Sequence, residues 1–203
     1  MKFAYVNPTI VAVDDIPEET FNSLQLVVDQ AHNHPEFNDE GDPGISIRGG
    51  QQIQLLPSQF DLNIDILKNY VEQQCQEYLD KIMTVTGRTE LVPVKPVLVS
   101  AWTIKQSSGD YQVLHSHDAH ISGNIYLDVP EETENSKNLD GCLEFRFPVI
   151  KNPSKFILTD SWTVTPQKGK MVLFPSYLPH TVYPWKGNGH RIILAWDVKL
   201  VDK

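Results

Sequence analysis

A mainly β fold with one or two helices packed on it is the architecture this sequence predicts, on three observations. From about residue 90 the chain is a series of short runs rich in Val, Ile, Phe, Tyr and Trp, separated by Gly, Pro, Asn and Ser. Upstream of that point, apolar residues recur at helical intervals instead. The 203 residues, 40% hydrophobic and 21% charged, are enough for a domain with a real core. One domain over 1–203 is expected, with 1–90 supplying helices and a loop and 91–203 the β-rich body.

In chain order, Asp14 and Asp15 ahead of Pro17 mark a helix start, and Phe21, Leu24, Val27, Val28 and Ala31 follow helical spacing up to a stop at Pro35. The stretch EFNDEGDPGISIRGGQQ, rich in Asp, Gly and Pro, reads as a loop. Within it GISIRGGQQ (44–52) lacks the lysine of a phosphate-binding loop; its place before the β body suits a substrate lid. A second helix, capped by Ser58, carries an apolar stripe from Leu62 through Leu67, Val71, Cys75 and Leu79 to Met83, and its polar reverse face suits a helix lying on a sheet.

The strand-like runs that follow are PVLVSAWTIKQ, YQVLHSH, ISGNIYLDV, CLEFRFPVI, SWTVTPQ, KMVLFPS, HTVYPW and HRIILAWDVKL. So many short strands in succession indicate a β-sandwich, jelly roll or barrel. The polar segment PEETENSKNLDG (130–141) reads as a loop between two of them.

Net charge and composition limit the partners. A formal charge of −9 argues against a large nucleic-acid footprint. No run of roughly 18 apolar residues provides a spanning helix, and the N-terminus lacks the apolar run of a secretory signal. Cys75 and Cys142 form no CxxC pair, so each is expected to be a small buried side chain in a reducing, cytoplasmic setting.

The unusual residues lie in VLHSHDAHISGNIYLDVP (113–130). On a strand His115 and His117 project to one side, with Asp118 beside them. Far downstream, His180 follows the apolar strand KMVLFPS. A histidine beyond a buried strand, joined by a distant His-x-(His/Asp), offers three imidazole or carboxylate ligands suited to a divalent transition metal. Arg191 opens the apolar run RIILAW, where a buried guanidinium requires a partner. Either an internal carboxylate or a carboxylate co-substrate would satisfy its planar fork.

Together these pieces carry a family resemblance. His115-Ser116-His117, SGNIYLDVP (122–130), GKMVLFPSYLPHTVYP (169–184) and GHRIILAW (189–196) match in order and spacing the motifs of the 2-oxoglutarate/Fe(II)-dependent dioxygenase superfamily, within a group having an H-x-H first motif. The resemblance implies a double-stranded β-helix (jelly-roll, cupin-like) core with flanking N-terminal helices, Fe(II) and 2-oxoglutarate as cofactors, and a hydroxylase that couples oxidative decarboxylation of 2-oxoglutarate to oxidation of a small-molecule or peptide substrate. It places His115 as first ligand, His180 as the distal histidine, Arg191 on the co-substrate's C5 carboxylate, and Tyr126 beside that carboxylate.

One position departs from the superfamily pattern. Where a carboxylate usually stands two residues after the first histidine, this chain has His117, with Asp118 one position later. A His115, His117, His180 site is the preferred reading. A bulge that brings in Asp118, or a ligand role for His117 with His115 behind it, stays open. His120 and His190 are expected outside the ligand set, and Trp102 and Trp196 in the core. A three-histidine dioxygenase working without 2-oxoglutarate, and a non-enzymatic jelly-roll binding module, are the rival functions.

Overall fold

The computed structural model describes residues 9–34, 46–56, 63–87, 93–135, 137–147 and 161–203. All eight strand-like runs beyond residue 90 become strands. They are β4 (Val94–Gln106), β5 (Tyr111–His115), β6 (Ile121–Asp128), β7 (Leu143–Arg146), β8 (Ser161–Val164), β9 (Lys170–Pro175), β10 (His180–Val182) and β11 (Arg191–Asp202). Three more come from the N-terminal part: β1 (Ala12–Asp15), β2 (Ile47–Arg48) and β3 (Gln51–Leu56). The pairings are antiparallel and give a six-stranded sheet, β1-β9-β6-β11-β4-β3, and a five-stranded sheet, β2-β5-β10-β7-β8. The two sheets face each other as a jelly roll.

Alternation along the strands divides the larger sheet into two faces. One face carries Ile125 and Leu127 of β6, Met171 and Leu173 of β9, and Leu194, Trp196 and Val198 of β11. These join Leu24 and Val28 of α1 (Glu18–His32) and Leu67, Val71, Cys75 and Tyr78 of α2 (Asp65–Thr86) in one core. The other face turns Ile104, Tyr126, Phe174, Ile193 and Ala195 toward Phe145, Leu178 and Val182 of the smaller sheet's side.

The N-terminal part departs from expectation in two places. Asp14 and Asp15 belong to edge strand β1, paired with Met171 and Lys170, and α1 begins only at Glu18, with Pro17 at its N-cap. The acidic Glu18 and Glu19 then sit where the helix dipole favours negative charge. Residues 46–52 are not a lid loop: β2 joins β5, and β3 joins β4. Between them Gly49 and Gly50 turn at φ 79° and 82°, a conformation that strains other L-residues. Residues 44 and 45, and the proposed Ser58 cap, lie outside the described residues. Within the polar segment 130–141, α3 (Glu131–Glu134) forms one helical turn where a loop is expected.

Candidate metal centre and its cavity

The cleft between the sheets holds a cavity of about 550 Å³. At one side of it the chain brings together three imidazoles. His115 ends β5 and His180 begins β10, and the two are direct cross-strand partners, which sets their side chains next to each other. Their ring centroids are 4.2 Å apart. His117 lies just past β5, where its backbone N–H donates to the Ser176 carbonyl at 2.9 Å. Its ring centroid is 5.2 Å from each of the other two. One ligand nitrogen from each of the three lies within 4.8 Å of the others.

Hydrogen bonds orient each ring through Nδ1. In His115 and His180 that nitrogen donates to the carbonyl two residues back, Val113 at 2.7 Å and Leu178 at 3.0 Å. In His117 it faces the Asp197 carboxylate at 3.1 Å. Carbonyl and carboxylate oxygens only accept, so the proton sits on Nδ1 and each Nε2 keeps its lone pair for a ligand. Asp197 is itself held, accepting from Ser122 Oγ at 2.5 Å, and Ser122 lies 2.8 Å from Ser176 Oγ. Burial lowers the His115 pKa and takes that of His180 down to about 3, with His115 adding to the effect. Both are therefore neutral at physiological pH, the form that binds a metal. The edge of Phe174 packs on His180, and Trp102 stacks on His117.

Deeper in the same cavity stands Arg191, 1% exposed. Its Nη1 donates to the Gly141 carbonyl at 2.7 Å and its Nη2 to Gln106 Oε1 at 2.6 Å, while its guanidinium lies 4.7 Å from the Trp185 ring. Among the described residues no carboxylate pairs with it. Burial lowers its pKa to about 10. Tyr126 is buried in the same wall; burial raises its pKa to about 12 although the nearby Arg191 charge opposes the shift.

The other candidates separate cleanly. Asp118 is exposed and borders the cavity but stands outside the three-nitrogen group. His120 accepts the Leu200 N–H at its Nδ1, and His190 meets Ser107, both on the surface. Trp196 is core, as expected; Trp102, half-buried, packs against the core on the cavity side and also lines the cavity. Sequence reading missed Gln106 and Asp197. The signal for Asp197 was available in the period of β11, where residues 191, 193, 195 and 197 share a face. Gln106 becomes visible only through its register opposite Arg191.

Residues 100–197 match the family described as "Putative 2OG-Fe(II) oxygenase". That span is a 2OG-Fe(II) oxygenase domain. It runs from β4 into β11 and contains the three histidines, Arg191 and Tyr126. No curated protein matches the chain. Among solved structures, the oxygenase is similar to the viral collagen prolyl hydroxylase vCPH from Paramecium Bursaria Chlorella virus-1, in its 2OG complex (TM-score 0.56, 16% identity, covering 93% of this chain and 94% of that one). It is similar to a Pseudomonas putida prolyl-4-hydroxylase (TM-score 0.55, 19% identity, 93% and 92% covered). A third is HygX from Streptomyces hygroscopicus with nickel, 2-oxoglutarate and hygromycin B bound (TM-score 0.53, 14% identity, 94% and 83% covered). At these identities the likeness is one of fold.

Proposed function

We propose that the chain is a 2-oxoglutarate- and Fe(II)-dependent hydroxylase in which His115, His117 and His180 hold the metal and Arg191, with Tyr126, holds the co-substrate. The observation that carries this reading is Arg191. A guanidinium buried without a carboxylate is costly, and this one lines the cavity that also holds the three imidazoles. A dianionic ligand spanning the two places answers both.

The donor set fits the metal. Imidazole suits iron, and three protein ligands leave positions for a chelating co-substrate and O₂. Behind His117 stands the Asp197 carboxylate, which orients the ring as carboxylates behind metal-binding histidines do. Fe(II), when bound, supplies the O₂ chemistry that oxidatively decarboxylates 2-oxoglutarate to succinate. The chain's own work is to bind and orient. Arg191 presents charged donors to the distal carboxylate, and Phe174, Ile193 and Ala195 keep the cavity wall apolar. Gln52, Gln54, Ser100, Trp102 and Leu114 also line the cavity and offer uncharged groups to a small-molecule or peptide substrate.

The rival three-histidine dioxygenase accounts for His117 but leaves the Arg191 charge unanswered. We read the protein as one cytoplasmic domain, a reading supported by the shared core of α1, α2 and the larger sheet and by two buried free thiols. No described helix is long and apolar enough to cross a membrane.

Anaerobic titration of the Fe(II)-loaded protein with 2-oxoglutarate tests the proposal. A visible charge-transfer band is expected, weakened in Arg191→Ala. Tight Fe(II) binding with no band would transfer the assignment to the three-histidine dioxygenase.

A further inference from the structure

We propose that Gln106 is a second recognition residue for the co-substrate's distal carboxylate, and that it makes the site select a terminal acid over a terminal amide. This rests on the reading that the cavity takes 2-oxoglutarate. Gln106 ends β4 directly opposite Arg191 on β11. Its Oε1 accepts from Arg191 Nη2 at 2.6 Å. A guanidinium has only donors, so this contact settles which end of the amide faces Arg191. Nε2 must point elsewhere.

That Nε2 is buried and has no hydrogen-bond partner among the described residues. Gln106 is 1% exposed and lines the cavity with Arg191 and Tyr126. The turn at Gly50 closes over it: a Cβ there would come within 2.9 Å of Gln106 Cγ and 2.7 Å of the Lys105 carbonyl. Among the described residues two other buried nitrogens have no hydrogen-bond partner, Nε1 of Trp185 and of Trp196, but neither residue lines the cavity. Gln106 is thus the described residue that both lines the cavity and carries an unanswered donor, and it stands beside a cation that no described carboxylate pairs. Leaving a buried donor unpaired is destabilising, and one carboxylate would satisfy both groups. An amide in its place would turn its own NH₂ toward donors or give up part of the contact.

The test measures binding of 2-oxoglutarate and of its 5-amide, 2-oxoglutaramate, to Fe(II)-loaded protein without oxygen, through the charge-transfer band. Wild type, Gln106→Leu and Gln106→Glu are compared, with Fe(II) affinity and circular dichroism measured alongside. Gln106→Leu removes the donor without adding charge, and is expected to weaken 2-oxoglutarate binding about tenfold at unchanged Fe(II) affinity. Gln106→Glu keeps an acceptor for Arg191, so a purely supporting role would survive it. We expect instead a larger loss for 2-oxoglutarate and a preference shifted toward 2-oxoglutaramate. If Gln106→Glu binds both ligands as wild type does, the donor role is overturned while the 2-oxoglutarate reading stands. If wild type gives no band at all, that underlying reading fails and takes this one with it.

Discussion

Strand β11 has two faces with opposite duties. Toward the helices it presents Leu194, Trp196 and Val198, none of them exposed. Toward the cavity it presents Arg191, Ile193, Ala195 and Asp197. Adjacent residues on one backbone therefore serve different ends: the helix-side face supplies apolar burial, and the cavity side carries Arg191, which no described carboxylate pairs, and Asp197, which holds His117. Trp196 and Asp197 are neighbours in sequence, yet replacing the first should injure the fold and replacing the second should injure the site.

The sharpest break of this comparison is His180→Ala. Loss of specific Fe(II) binding and of succinate formation is expected with the circular dichroism spectrum retained; a variant that still binds the metal tightly would remove His180 from the site. Next comes Trp196→Ala, which empties the helix-side core and should lower unfolding free energy by about 3–5 kcal/mol in a denaturant titration. If that variant instead lost Fe(II) affinity at full stability, the division of faces would be wrong. Asp197→Asn takes the charge from behind His117 and is expected to weaken Fe(II) binding about 10- to 100-fold with little change in stability.

A pH series on the metal-free protein sharpens the same contrast. The fold holds His180 neutral to about pH 3, whereas the unfolded chain takes up that proton below the ordinary value of 6.5. The contribution is complete above that value and is lost as pH falls toward 3, because there the unfolded state binds more protons. His115, also lowered by burial, acts in the same direction. Melting temperature should fall across this window, and less steeply in His180→Gln; equal slopes would show that the buried imidazole is not the cause. The smallest effect belongs to the helix surface. Leu26 on α1 is 62% exposed, and Leu26→Gln should change stability by no more than about 0.5 kcal/mol.

Legibility from sequence followed the same physics. Runs such as MVLF and RIILAW announce strands because β-branched and aromatic residues crowd between Pro and Gly breaks. QQIQLL, which becomes β3, has little of that character and takes its strand form from pairing with β4. AVDD, which becomes β1, is short and acidic. The histidines stood out because an apolar strand has no use for them. Gln106 and Asp197 did not, since a polar residue within or ending a strand is ordinary until register places it across from another. Trp102 reads as core by its size, and only the facing His117 ring shows that it belongs to the cavity.

The register slip in β4 has a consequence of its own. Val198 pairs with Leu98 while Asp197 pairs with Ser100, so Val99 is an extra residue. Leu98 and Ala101, three positions apart, both enter the helix-side core, which strict alternation forbids. The Leu98 N–H is taken up by Glu72 from α2 at 3.1 Å. Val99 thus works like an inserted letter that resets a reading frame. Ahead of it the strand is phased so that Leu98 meets the helices; after it, so that Ser100 and Trp102 meet the cavity. Deleting that one exposed valine would join the two halves of β4 in a regular frame with each still facing as it does now, whereas pairing Val99 regularly with β11 would turn one half inside out.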